Sequence, residues 1–288
     1  MSKEPPMSLP ALTRPDAPDE DDGCPKSVLG KAHLLLSAFG AGAYQLRLTE
    51  LSRRSGVPKA SAHRLAQELV QWGLLERAGD GYQLGLRVFE LGQRVPIAAV
   101  LRGVSRPVLV DLFATTRATI HLAVLDGGNV LYAEKVAGEA NIQTHSEVGG
   151  RLPATCTATG KVLLALAPDG EAALQQWERF GVVRPTSRSA ATVEALRAQL
   201  VEVRRRGFAV EVEETLVGYA SVAVPVVGSD GSVYAAVSAT APVSRLVVGR
   251  LVPQLQAAAA GIARAVDRRI PGGVTASDRL AGGVCTAR

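Results

Sequence analysis

Two stretches of the chain hold residues whose types and spacing could do chemistry. The first reads "SRRSGVPKASAHRLAQ" and gathers Arg53, Arg54, Lys59, Ser61, His63, Arg64 and Gln67, with Arg77 a little downstream. Lys and Arg neutralise phosphates, while Arg and Gln offer paired donors and acceptors that match base edges in the major groove. Pro58 is well placed to open a helix, where a missing N–H is no loss. The start of such a helix turns free N–H groups and partial positive charge outward beside Lys59 and Ser61, which suits phosphate. Arg64 and Gln67 then face base edges, and Lys59, Arg53 and Arg54 face the backbone. A lone basic helix is more often only solvated, and His63 alone says little. Here a Gly turn, a Pro start, a following hairpin and a local excess of positive charge coincide, which favours DNA.

The second stretch reads "GGRLPATCTATGK", residues 149–161. Thr155 or Thr157 can cap a helix that begins here, leaving the N–H groups of Ala158, Thr159 and Gly160 toward a small anion such as a carboxylate. An ordinary capped helix without a ligand fits the run equally well, and Lys161 is either solvated or paired. Downstream, "GFAVEVEETLVGYASVAVPV" puts Glu211 and Glu213 on one side of a strand, followed by Glu214, Tyr219 and Ser221. Ser238 and Thr240 share one face of the last strand. Hydroxyls on inner strand faces fit a polar patch within an apolar cavity, although each singly is routine for a sheet. Cys156 with His145 is the one nucleophile–base pair that an enzyme reading can offer. No third group orients that base, so no catalytic residue is expected and the chain is not read as an enzyme. The cysteines Cys24, Cys156 and Cys285 are scattered without a CxxC, so neither a disulfide framework nor a zinc site is expected. No metal or cofactor is expected either.

The elements that must position these residues follow from periodicity. Val28, Leu29, Ala32, Leu35, Leu36 and Phe39 recur at three and four, predicting a helix capped by Ser27 and stopped near Gly40. A second helix is expected over about 49–55, capped by Thr49, and a third over about 58–72. On the third, Ala62, Leu65, Ala66 and Leu69 share the inward face. "LLERA" and "GYQLG" read as two strands around Gly79-Asp80-Gly81. Helix, Gly turn, helix and hairpin is the winged helix-turn-helix order. Residues 86–116 read as helix interrupted near Pro96 and Pro107. Beyond them "TIHLAVLDGGNVLYAEKV" is a hairpin. Helices are expected from "TATGKVLLALAP", over 169–180 and over 192–206. Strands are expected near 208–214, 219–227 and 233–240, and a final helix near 244–268. Strands bracketed by helices predict one sheet with helices packed on it.

Length and charge agree with two domains. The 288 residues are 47% hydrophobic but only 4% aromatic, so Leu, Val and Ala fill the core. The net charge of +5 is unevenly spread. Over residues 1–25, Lys3 and Arg14 stand against six acids, a net −4, whereas residues 26–77 carry eight cations against three acids, a net +5. The first 25 residues, rich in acid and proline, and residues 270–288 read as disordered. No apolar run approaches the roughly 20 residues that span a bilayer, and no signal-peptide pattern begins the chain. A reducing cytoplasm is the expected location.

"SGVPKASAHRL…GLLER", "GGRLPATCTATGKVLLA" and "RGFAVEVEETLVGYASVAVPV", in that order, resemble the isocitrate-lyase-regulator (IclR) family of bacterial transcription regulators. The resemblance runs from about Ser27 to Arg268. It implies an α+β chain: a winged helix-turn-helix over 26–86, a linker helix over 87–103 and a GAF-like α/β effector domain over 104–269. It further implies a repressor, homodimeric or homotetrameric, on a palindromic double-stranded DNA operator. A small carboxylic acid would bind the effector domain and control it. By position, the resemblance puts the effector against the backbone of Ala158 and Thr159, with Glu211, Tyr219, Ser221, Ser238 and Thr240 around it. Ala60 stands where many members carry Ser or Thr. Glu211 and Tyr219 differ in size from residues that suit two- and three-carbon acids. A constitutive dimeric DNA-binding protein without a ligand is the competing reading.

Overall fold

The structure is a computed structural model and describes residues 27–40, 43–138, 146–168 and 170–269. The expected disordered tails and His145 lie outside those residues. The chain divides into two compact units between Ala99 and Val100.

In the first unit α1 (Val28–Ser37), α2 (Leu48–Ser55) and α3 (Lys59–Gln71) pack around one core. Leu35, Leu51, Val57, Ala62, Leu65, Ala66 and Leu69 supply it, so the inward face of α3 is the one the spacing predicts. Ser27 caps α1, its Oγ accepting from the Gly30 N–H at 2.9 Å. The wing is β2 (Leu75–Ala78) against β3 (Gly81–Leu84), and β3 also pairs antiparallel with a two-residue strand, β1 (Leu46–Arg47). That pairing keeps the backbone extended up to Arg47. Helix α2 therefore starts at Leu48, and Thr49 lies inside its first turn instead of capping it. Pro58 likewise precedes α3 as its cap residue. Helix α4 (Leu86–Gln93) follows the wing and buries none of its residues.

Helix α5 (Pro96–Thr116) leads into the second unit. The expected break at Pro107 does not occur. Leu101, Ser105, Leu109 and Leu112 are buried along one stripe, and that packing carries the helix through one missing N–H. The second unit is a six-stranded antiparallel sheet ordered β6-β5-β4-β9-β8-β7. Its strands are β4 (Thr119–Asp126), β5 (Asn129–Val136), β6 (Arg151–Pro153), β7 (Ala209–Val212), β8 (Tyr219–Val227) and β9 (Val233–Pro242). Helices α6 (Ala158–Leu166), α7 (Gly170–Phe180) and α8 (Val193–Arg206) form one side of its core, packing with Ala123, Ala223 and Ala236. A 3-10 turn at Val243–Arg245 and helix α9 (Val248–Arg269) stand where one continuous helix was expected. α9 packs on β8 and β9. The small side chains at the sheet centre let helix α6 approach closely. Gly160 has the Ala154 carbonyl oxygen 2.2 Å from where a Cβ would be, so only glycine fits there.

Register sets the polar row. Glu211 lies opposite Ser221, Ser221 opposite Thr240, and Thr240 opposite Thr119. Paired residues share a face, so these four side chains stand on one side of the sheet. Ala223, Ser238 and His121 form the adjacent row on that side.

Candidate functional site

The turn between α2 and α3 is built from three hydroxyl contacts and one glycine. Ser52 Oγ donates to the Val57 carbonyl at 2.7 Å, Ser55 Oγ donates to the Leu51 carbonyl at 2.6 Å, and the Val57 N–H donates to Ser55 Oγ at 3.3 Å. Gly56 takes the left-handed conformation (φ 67°) that ends α2, and Val57 plugs the core. The turn thus locks α3 onto its neighbours and leaves Lys59, Ala60, His63, Arg64 and Gln67 exposed on the outer face, with Ser61 half-buried.

Most of the outward cations are held by acids within the same unit. Glu50 bonds both Arg53 and Arg54 at 2.6 Å, and the two guanidinium groups hold its carboxyl down at about 2. Arg64 bonds Glu68 at 2.6 Å, and the His63 and Gln67 side chains meet at 3.1 Å. Arg77 lies over the Tyr82 ring, 4.7 Å from its centroid, on the wing. Among the described residues Lys59 has neither an ion pair nor a side-chain hydrogen bond. These are exposed pairs and are weak, so a phosphate can displace the acids.

The second unit holds a cavity of about 370 Å³ of atom-free space, its open mouth included. Glu211, Tyr219, Ser221 and Thr240 line it together, with His121 and Tyr132 beside them on the same side of the sheet. Ser221 Oγ donates to Glu211 Oε1 at 2.8 Å and lies 2.9 Å from Thr240 Oγ1. The Glu214 N–H donates to Glu211 Oε2 at 3.0 Å. Burial pushes the Glu211 carboxyl up to about 7 in spite of those two donors. His121 Nε2 sits 2.7 Å from Ser146 Oγ, and burial holds its imidazole down at about 3, so the ring is neutral at pH 7. Its ring lies 5.1 Å from that of Tyr132. No Lys or Arg lines the cavity among the described residues.

Three expected contacts stand away from this lining. Ser238 is buried one row over. Ala158 and Thr159 are buried at the start of α6, and Thr159 Oγ1 has no partner of hydrogen-bond geometry; the Tyr132 hydroxyl approaches it from the cavity. Thr157 caps α6, its Oγ1 accepting from the Gly160 N–H at 3.1 Å, so that N–H is not open to an anion. Glu213 does not share the face of Glu211. It leaves the strand with φ 58°, and its carboxylate accepts the Gly218 N–H at 2.8 Å. Lys161 is neither solvated nor in the cavity: 1% exposed, it pairs with Glu214. Sequence reasoning passed over His121 and Tyr132. The alternation in "TIHLAV" carries the signal for His121, since it puts that ring on the face of Thr119. Cys156 is fully buried and burial pushes its thiol up to about 12, so it stays protonated and unreactive. No group of three or more His, Cys, Asp or Glu among the described residues is placed to hold a metal.

Comparison with known proteins adds to this geometry. The family described as "IclR helix-turn-helix domain" matches residues 28–79, and "Bacterial transcriptional regulator IclR C-terminal" matches residues 95–268. The chain is 33% identical over 242 residues to the HTH-type transcriptional regulator XynR of Escherichia coli, covering 82% of this chain and 95% of that protein. It is 33% identical over 235 residues to the regulator KdgR of the same organism, covering 81% and 88%. These relatives are named transcriptional regulators, not enzymes. Among solved structures it is similar to an IclR homolog from Microbacterium hydrocarbonoxydans complexed with 4-hydroxybenzoate. That likeness has a TM-score of 0.76 at 30% identity over 84% of this chain and 100% of that one.

Proposed function

The chain belongs to the IclR family of bacterial transcriptional regulators, and from that membership we propose that it is a repressor released from its operator by a small organic acid. It acts in the cytoplasm, on a palindromic site, as a homodimer or a pair of dimers. The observation that carries the DNA reading is the outer face of α3, where Lys59, His63, Arg64 and Gln67 stand exposed on a helix fixed by its turn. Lys59, Arg53 and Arg54 grip phosphates together with Ser61, Arg64 and Gln67 read bases beside His63, and Arg77 reaches out from the wing. The apolar side chains of Leu86, Phe89, Leu91 and Val95, exposed on and after α4, support pairing of two copies. The domain limits follow the resemblance: DNA-binding over 26–86, linker over 87–103, effector-binding over 104–269.

The cavity favours a particular class of acid. Without a lining cation, a carboxylate needs the amide donors of Ala158 and Thr159, reached when Tyr132 shifts. Glu211, Ser221 and Thr240 ask for a hydrogen-bond donor at the ligand's other end, with Ser238 behind them. The rings of His121, Tyr132 and Tyr219 flank an aromatic body. A hydroxylated aromatic acid meets all three demands, and the 4-hydroxybenzoate bound by the Microbacterium relative is of that class. Calorimetry with 4-hydroxybenzoate, benzoate and pyruvate tests this. The hydroxylated acid should bind roughly tenfold or more tighter than benzoate, because a buried acceptor left unpaired costs about 1–3 kcal/mol. Fluorescence anisotropy on the chain's own promoter should then show DNA released by that acid. Binding of no acid in the panel would favour a constitutive DNA-binding protein, and no complex with promoter DNA at low salt would end the repressor reading.

A further inference from the structure

The second unit carries another concavity, on the opposite side of the sheet from the acid cavity. It lies between the end of α5 and the start of α9, with about 610 Å³ of atom-free space including its mouth. Thr240 lines the cavity while its neighbour Ala241 lines this groove, as alternation along β9 requires, and Pro242 at the strand's end lines it too. Three exposed arginines line it: Arg117 after α5, Arg245 in the 3-10 turn and Arg250 in the first turn of α9. No Asp or Glu lines the groove among the described residues.

The described arginines divide between those paired with a carboxylate and those, like this trio, that are not; what sets the trio apart is that its members line one groove. Arg47, Arg53, Arg54, Arg64, Arg87, Arg106, Arg151, Arg197, Arg205 and Arg206 each bond a carboxylate. Arg117, Arg245 and Arg250 have no such partner among the described residues. Arg117 also holds a left-handed backbone (φ 57°), a conformation that disfavours any side chain beyond glycine by roughly 1 kcal/mol. A second observation marks a missing partner. Gln254, two turns into α9 on the same face, has a buried Oε1 with nothing to bond. A buried acceptor asks for a donor, which the P–OH of a hydrogen phosphate supplies. The start of α9 adds partial positive charge. The facing end of α5 would repel an anion, and of its terminal carbonyls that of Phe113 is bonded: the Arg117 N–H donates to Phe113 O at 2.8 Å.

We propose that this groove is a second ligand site, distinct from the acid cavity, for a small anion carrying two or more negative charges, of the phosphate or phosphomonoester class. Guanidinium forks match phosphate oxygens two at a time, and three of them around one pocket balance a doubly charged group. Free phosphate and a phosphate ester share this chemistry, so the test separates them.

The full chain is titrated by calorimetry with inorganic phosphate and, separately, with phenyl phosphate, at constant ionic strength balanced with chloride. One site per chain is expected, weakened at least tenfold by Arg245→Glu and by Arg250→Glu. Arg117→Gly removes a guanidinium while relieving the left-handed backbone. It should weaken binding several-fold with no loss of melting temperature, which guards against a folding artefact. Glu211→Gln and Lys59→Ala should leave binding within twofold. Equal affinity for the two anions assigns free phosphate, and a tenfold preference for phenyl phosphate assigns an ester. The proposal is overturned by no binding of either anion. It is equally overturned if the arginine variants bind as the parent does, or if Lys59→Ala abolishes binding, which would place the phosphate on α3.

Discussion

Glu211 is a carboxyl that the fold keeps close to half-protonated at neutral pH. Its ordinary value is 4.5 and burial raises it to about 7. Between those values the native state binds more protons than the unfolded chain. The stabilising contribution of this group is therefore complete below about pH 4.5 and is lost as pH rises through about 7. The loss amounts to about 3 kcal/mol, at roughly 1.4 kcal/mol per unit. Glu211→Gln keeps the shape and removes the titration. Its stability relative to the parent should rise by roughly that amount from pH 4.5 to 8, measured by urea unfolding at several pH values. Parallel curves for the two proteins would mean that Glu211 does not titrate there. The neighbouring Lys161–Glu214 pair behaves differently, because both side chains are buried against each other and Glu214 Oε2 has no partner. Lys161→Met strands that carboxylate and should cost about 3–5 kcal/mol, whereas Lys161→Met with Glu214→Leu should recover most of it. A single variant that melts within a degree of the parent would sink this account.

At the scale of elements, α3 divides into positions that anchor and positions that read. Lys59 stands at its unpaired first turn, Arg64 and Gln67 a turn or two on. Lys59→Ala should weaken binding to operator and to random DNA alike and lower the salt slope by about 1. Arg64→Ala should cost about 1–3 kcal/mol on operator alone, with little change on random DNA. An equal loss on both sequences from Arg64→Ala would make it a phosphate contact. The division of α3 was legible in the sequence because Ala62, Leu65, Ala66 and Leu69 repeat at helical spacing and leave one face free. The hairpin at Asp126–Asn129 and a threonine cap at 155 or 157 were legible for similarly local reasons, and the structure makes it Thr157. The rest depends on distant partners. Two residues, Leu46 and Arg47, have no periodicity of their own, and only pairing with β3 makes them a strand that resets the start of α2. Lys161 meets Glu214 across 53 residues of sequence. His121 becomes a cavity wall only because β4 lies against β9. Nothing local to Glu213 told of the left-handed backbone that turns it out of the sheet.

For the whole molecule, regulation requires that two compact units share one equilibrium. Under the proposed function the acid prefers the arrangement that does not hold DNA, and the factor by which it does so bounds the response. A tenfold loss of operator affinity at saturating acid corresponds to about 1.4 kcal/mol of coupling. Linkage then fixes a second number. The operator must weaken the acid by the same factor, whatever route connects α3 to the cavity. Operator affinity is read by anisotropy with and without saturating acid, and acid affinity by calorimetry with and without saturating operator, at one salt concentration because phosphate contacts make both numbers salt-dependent. The two ratios should agree within error in the parent. Glu211→Gln should shrink both together, because it removes part of the acid's preference between the two arrangements, while Lys59→Ala, which changes operator contacts alone, should leave both ratios intact and lower only the absolute operator affinity. Agreement in the parent with unequal ratios in Glu211→Gln is thermodynamically closed off for a single binding event, so that result would mean a second acid molecule, or a change of oligomeric state, enters the equilibrium.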